Sequence, residues 1–474
     1  MKKVRDIIND KLFIFYKYFF NINLKKNQLK SIIFGFLILI ITYYYNKIEI
    51  YNLKLKEDYF NVANNINISF NNKIYKKIKI GIFAHCIKNG GRARITALLI
   101  NNLNKIKIFK IFLFTRLIKE DNEYIIPENI KRILIKKNFI NIIKKKKISI
   151  LLYQLDNIEE INLLNKLNNT KVIFYLHSST FDWIYANYTI FKYIYKAYSN
   201  SRYIISIVPL ENDYLFEKWG LNSILMNNFI TYEYNLTIPS DLTSNNILMI
   251  GRGNAKKKRF QIAIKSMEYI AQEIPKSQLK IISNLTGINL HINLIKNLNL
   301  ENYVQFIGYN SNPEILFKNI SLNLFPSISE AFPMVLCETK IYGIPSILIG
   351  LDYTAISKGG TIIIFDDTDE SLAKEIIKII TNYNYKKYLG INARESMRKF
   401  NNNLLSKKWI KLILSIYKGN SYYNKLREED DKMDISFSIN ILYNQIKLLK
   451  MRNETFINIS INNYTNLSYL VNYI

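Results

Sequence analysis

Cysteine is almost missing from this sequence: Cys86 and Cys337 are the two in 474 residues. That excludes a disulfide framework and a cysteine-based zinc site. Histidine is nearly as scarce. His85, His177 and His291 are the three, and no HExxH pattern joins them. The chain lacks the GxGxxG dinucleotide fingerprint. It also lacks an arginine-rich groove motif and an aromatic RNA-binding signature. Acidic residues are outnumbered, 37 against 66 Lys+Arg, for a formal net charge of +29. Heavy use of Ile, Asn, Lys and Tyr, all with A/T-rich codons, accounts for part of that excess. Such a charge favours anionic partners: membranes, nucleic acid or nucleotide phosphates. Without a binding signature, nucleic acid is not the expected one.

What is present begins with an uncharged apolar run, "SIIFGFLILIITYYY" at 31–45. Fifteen helical residues reach about 22 Å, short of a bilayer core of about 30 Å. Continuing to Ile50 makes a span feasible, and the short length suits a thinner bilayer of the ER type. No small-residue cleavage site follows, so a membrane anchor is expected rather than a signal peptide. Residues 1–30 carry eight Lys/Arg and residues 46–65 carry three. The positive-inside bias then leaves the N-terminus cytosolic and the body in the ER or Golgi lumen, a type II arrangement. A cytosol-facing body is the alternative. Ten Asn-x-Ser/Thr sequons follow, but an Asn-rich chain produces many by chance.

From Ile78 short apolar strands alternate with helical spacing, which indicates parallel sheet covered on both faces. A polar, turn-rich stretch at 227–246 interrupts the alternation, which then restarts. The expected organisation is a basic segment 1–30, an anchor 31–50 and a stem 51–77. Two Rossmann-like domains follow, 78–232 and 233–418 with closing helices, and then a tail 419–474 of no assigned role.

The residues suited to chemistry fall in the connections. Gly90-Gly91 leads from the first strand into a helix. Two readings stand: a backbone turn that approaches a ligand, or a plain tight turn. "GRGNAKKKRF" places Arg252 at a strand end and a basic loop after it. Cations there suit a diphosphate, and a solvated basic loop is the competing reading. "SEAFPMVLCETKIYGIP" places Glu330 in a turn and Glu338 inside a helix. Pro333 suits the first helical position, and Gly343 with Pro345 ends the helix. The amides around Phe332, Met334 and Val335 then form an anion site at a helix N-terminus. Glu338 is placed for a ribose, and Glu330 for a sugar. "FDDTDES" contains Asp-x-Asp, a pattern that can hold a metal. It reads better as a helix N-cap at Asp367, Thr368 or Asp369.

"GRGNAKKKRF" followed by "SEAFPMVLCE" resembles the retaining family-4 glycosyltransferases of the GT-B fold, over roughly residues 78–418. The resemblance implies an α/β fold of two Rossmann-like domains facing a cleft. It implies transfer of a hexose-type sugar from a UDP- or GDP-linked donor to a glycan, lipid or glycoprotein acceptor. It implies no essential metal or other cofactor. Carried over, Arg252 and Lys258 match the pair that neutralises the donor diphosphate. Glu330 matches the glutamate near the donor sugar, Glu338 the ribose-binding one, and Gly90 and Gly91 the loop facing the phosphates. His177 matches a cleft histidine, and Tyr309 lies near the base. The mechanism implied is departure of the nucleoside diphosphate from the face on which the acceptor attacks. A catalytically inactive GT-B-like membrane scaffold, or a nucleic-acid-binding protein, are the alternatives.

Overall fold

The computed structural model describes residues 77–419 except 89, 122, 136–138, 155–156, 178–197, 208–210, 213–214, 216–219, 253–257, 309–312, 328–329, 350–355, 357 and 365. The expected anchor and stem, the C-terminal tail beyond 419, and Tyr309 lie outside the described residues. Among the described residues no helix is long and apolar enough to cross a membrane. The chain divides into two parts, Met1–Lys76 and Lys77–Ile474. Everything below concerns the second.

The first sheet contains β1 (Ile78–Ala84), β2 (Phe109–Thr115), β3 (Lys131–Leu134), β4 (Ile150–Tyr153), β5 (Lys171–Tyr175), β6 (Tyr203–Ser206) and β7 (Ser223–Leu225). Helices α1 (Gly91–Asn104), α2 (Phe139–Lys146) and α3 (Ile158–Leu164) connect them. The strand order is β3-β2-β1-β4-β5-β6-β7, and every pairing is parallel. β1, "IKIGIFA", is buried on both faces, which is why it reads as a continuous apolar run rather than an alternating one. Two strands go beyond the sequence expectation. β3, "KRIL", is an edge strand whose charged residues disguise it, and β7 is three residues long.

The second sheet contains β8 (Asn246–Ile250), β9 (Gln278–Ile282), β10 (Val304–Ile307), β11 (Leu322–Phe325), β12 (Ser346–Ile349) and β13 (Thr361–Ile364). Its helices are α4 (Phe260–Glu273), α5 (Asn289–Asn297), α6 (Pro313–Phe317), α7 (Met334–Ile341) and α8 (Asp369–Thr381), followed by α9 (Tyr383–Ser396) and α10 (Asn402–Lys418). Its order, β10-β9-β8-β11-β12-β13, repeats that of the first six strands of the first sheet, without a counterpart of β7, and is again all parallel. Each sheet therefore has a switch point, between β1 and β4 and between β8 and β11. Helices leave opposite faces there, and the crevice between them opens outside the strands' carboxyl ends.

The stretch read as a polar linker is partly core. Phe229 and Ile230 are buried, and so is Asn228. Asn402 at the start of α10 holds Ile230 from both sides, accepting from its N–H and donating to its carbonyl. α10 thus packs back toward the first sheet. Trp409 is buried there, 5.4 Å from the ring of Tyr175 on β5. One apolar cluster runs through this seam, from Ile80 and Ile82 to Phe332, Leu336 and Ile413.

Candidate functional site

Beyond β1 the chain turns through Gly90, whose φ of 87° is open to glycine and strained for any side chain. Gly91 begins α1. A Cβ on either glycine would meet nothing within 4 Å, so the turn is open on its outer side. No side chain caps α1 at its N-terminus. Its first-turn amides have no partner within the helix.

Beyond β8, Arg252 is exposed and makes no ion pair with a described residue. Lys258 turns inward. Its Nζ donates to Glu330 Oε1 at 2.5 Å and lies 5.1 Å from the ring centre of Phe325 on β11. The structure thus brings Lys258 and Glu330 together across the switch point of the second sheet. Arg259 goes elsewhere. It adopts a left-handed backbone at φ 59°, is buried, and forms an ion pair with Asp367. Asp367 of the Asp-x-Asp stretch is therefore that arginine's partner. The adjacent Thr368 caps α8 by accepting from Ser371 N–H at 3.1 Å. Among the described residues no three His, Cys, Asp or Glu side chains cluster as metal ligands.

α7 starts at Met334, and Pro333 is its N-cap, one position earlier than the sequence suggested. Proline has no N–H to donate and no capping side chain, so the first-turn amides of Met334 and Val335 are uncapped. The side chains of Phe332 and Met334 are buried in the core, which leaves their backbone as the part available to a ligand. Gly343, at φ 69°, follows the C-cap Tyr342 and ends the helix.

Glu338, 4% exposed, is held from two directions. Its Oε1 accepts from the guanidinium of Arg94 on α1 and from Thr231 Oγ1 at 2.8 Å. Its Oε2 takes no hydrogen bond from a described residue. The carboxylate pushes the Arg94 pKa up, against the opposing effect of burial. Burial, with Glu338 adding to it, raises the Tyr232 hydroxyl. Arg94 and Thr231 escaped sequence reasoning, because their partner lies 244 and 107 residues away.

His177 follows β5. Neither ring nitrogen has a hydrogen-bond partner among the described residues, and both are shielded from solvent. Burial, with Arg92 adding to it, holds its pKa well below the usual range, so the ring is neutral. It packs 4.0 Å from the ring centre of Tyr175, whose hydroxyl donates to Asn228 Oδ1 at 2.7 Å. Burial pushes that tyrosine's pKa upward. Gln154, just beyond β4, accepts from Thr96 Oγ1 at 2.7 Å, and its Nε2 is buried without a partner among the described residues. Asn228 Nδ2 is in the same condition. Gln154 and Asn228 carry no sequence signal; a buried polar group is recognisable only once the packing is known.

Comparison with known proteins accords with this geometry. No curated protein sequence matches the chain. Solved structures with a similar fold include a sucrose-phosphate synthase from Thermosynechococcus elongatus, at 16% identity and a TM-score of 0.62. It covers 73% of this chain and 100% of its own. A glycosyltransferase from Rickettsia africae is similar at 17% identity and a TM-score of 0.55, covering 75% and 100%. Alr3699/HepE of Anabaena, in complex with UDP and glucose, is similar at 13% identity and a TM-score of 0.57, covering 71% and 100%. Residues 237–396 match the family Glycosyl transferases group 1. Residues 237–396 thus resemble a Glycosyl transferases group 1 domain, and the α/β body of two parallel sheets shares its fold with these glycosyltransferase structures.

Proposed function

We propose that this protein is a membrane-anchored glycosyltransferase. It moves a hexose-type sugar from a UDP- or GDP-linked donor to a glycan, lipid or glycoprotein acceptor, with retention of configuration. The observation that carries this reading is the Lys258–Glu330 contact. It joins the ends of β8 and β11 at the switch point, inside the stretch that matches the glycosyltransferase family. The donor diphosphate lies against Arg252, Lys258 and the uncapped amides of α7, with the Gly90-Gly91 turn opposite. The ribose hydroxyls donate to Glu338 Oε2, while Arg94 and Thr231 fix that carboxylate through Oε1. Glu330 and the neutral His177 face the sugar.

In the reaction the acceptor hydroxyl oxygen bonds to the anomeric carbon. The bond from that carbon to the diphosphate oxygen breaks on the same face. The hydroxyl proton passes to the departing phosphate. Negative charge grows on the leaving oxygens, where the two cations and the helix N-terminus are worth most. Closure of the cleft aligns the acceptor and excludes water. No metal is assigned a step.

Residues 31–50 are the proposed anchor, with the body in the ER or Golgi lumen. Protease protection in sealed microsomes with endoglycosidase treatment tests that topology. Digestion of the body without detergent, and no glycan shift, would reverse it. For the activity, a panel of nucleotide sugars is read by thermal shift and then by product formation. UDP-glucose comes first, because Alr3699/HepE has been solved with it. A donor at 100 times its Kd is expected to stabilise the protein by about 2.7 kcal/mol. Failure of every donor both to bind and to turn over would overturn the reading. Binding without turnover would favour the inactive scaffold.

A further inference from the structure

The candidate site occupies the carboxyl ends of the strands. The opposite end of the first sheet carries a feature that sugar transfer does not use. A groove of about 870 Å³ opens between the end of α2 and the turn that follows α3. It is lined by Lys144, Lys147, Lys166 and Lys171, with Tyr417 of α10 at its wall, and no Asp or Glu lines it. None of the four lysines forms an ion pair with a described residue. Lys79 on β1 reaches the same end and donates to Lys146 O at 2.9 Å.

Helix-end electrostatics account for part of this. Lys144 sits in the last turn of α2, and Lys166 follows α3, where cations complement the helix dipole. Lys171 opens a strand and has no such reason. The four lysines come from two connections, the one after α2 and the one between α3 and β5, and line one groove with no carboxylate among them, so an anion there is attracted to all four.

We propose that this groove is the seat of an anionic membrane surface, taking phospholipid headgroup phosphates between its lysines; anionic phospholipid faces the cytosol, so this inference goes with the cytosol-facing alternative for the body. The volume far exceeds one phosphate and suits several headgroups. The cations are lysines, point charges rather than the planar forks that read a fixed geometry. Tyr417 at 45% exposed and Leu163 at 48% stand beside the lysines, an amphipathic ring and an apolar side chain at headgroup level. Seated there, the first sheet directs its carboxyl ends, and with them the candidate site, away from the headgroups. The acceptor hydroxyl is then presented at a distance from the bilayer surface.

The proposal stands apart from the anchor, and lysine acylation footprinting of the full chain by mass spectrometry tests it. Flotation with pure phosphatidylcholine vesicles reports the anchor alone. Mixed phosphatidylserine–phosphatidylcholine vesicles are expected to slow acylation of Lys144, Lys147, Lys166 and Lys171 by about fivefold relative to phosphatidylcholine. The effect should vanish at high salt. Lys374 and Lys387, exposed on helices of the second half, should not change. Equal labelling with the two vesicle types would overturn the proposal. So would equal protection by inorganic phosphate without vesicles, which marks a small-anion site. Protection by an RNA duplex but not by phosphatidylserine would overturn it in favour of nucleic acid.

Discussion

The two sheets share one strand order over six strands and differ in what they place at the switch point. The second presents charge: Lys258 against Glu330, exposed Arg252, and a helix N-terminus without a cap. The first presents, beside Arg92 and the Arg94 that pairs with Glu338, a set of neutral groups: an open glycine turn, an uncharged His177, and the amide nitrogens of Gln154 and Asn228, which have no partner among the described residues. Topology fixes where a ligand can lie, and loop chemistry fixes which part of it lies there. Charge suits a diphosphate. Neutral donors and acceptors suit hydroxyl groups, whose hydrogen bonds need no countercharge.

The largest effect that sharpens this contrast is expected from the cations. Arg252→Ala and Lys258→Ala should each lower kcat/KM by about 10²–10³ through lost stabilisation of the leaving diphosphate. The effect should exceed that of Gln154→Ala in the same steady-state assay. Full activity in the Arg252/Lys258 double variant would remove the diphosphate assignment.

Charge crosses between the halves where Arg94 of the first meets Glu338 of the second. A double-mutant cycle with Arg94→Met and Glu338→Gln, read by urea unfolding, should give a coupling of about 1–3 kcal/mol. In kinetics, Glu338→Gln should chiefly raise the donor KM, because a ribose contact is made equally in ground and transition states. Glu330→Gln should chiefly lower kcat. Matching kinetic profiles for the two glutamates would show that they do not divide the donor between them.

The halves should also respond differently to pH. Lys340 of α7 is fully buried and donates to Ile356 and Lys358 carbonyls, tying the helix to the segment before β13. Burial lowers its pKa to about 7. Between about pH 7 and pH 10.5 the unfolded chain therefore binds more protons than the folded one. Stability should rise with pH through that window, by up to about 5 kcal/mol. Lys340→Met should flatten the slope in unfolding curves.

His177 gives the smallest effect. Its depressed pKa keeps it neutral, so its own titration should leave no step in kcat/KM across roughly pH 6–8. Its contribution to stability should fall only as pH drops below about 6.5, where the unfolded chain takes up the proton. A kcat/KM step near pH 6.5 that disappears in His177→Gln would show a solvated histidine instead.

The periodicity of apolar residues determined the parallel strands and most of the helices. Strand and helix are set by local backbone bonding and by which faces are buried, so runs such as "IKIGIFA" and "ILMIG" declare themselves. The order of "GRGNAKKKRF" and "SEAFPMVLCE" likewise determined that Lys258 and Glu330 lie at strand ends. Short or charged elements such as β3 and β7 escaped, because an edge strand need not be apolar. Which side chains meet was decided only by tertiary structure. Arg259 stands beside Lys258 in the sequence, yet it turns away to Asp367. Arg94 finds Glu338 across 244 residues. Gln154, His177 and Asn228 become buried polar groups only when α1, β5 and the stretch before β8 pack together. A pairing of that kind depends on how whole elements dock, and local sequence carries no trace of it.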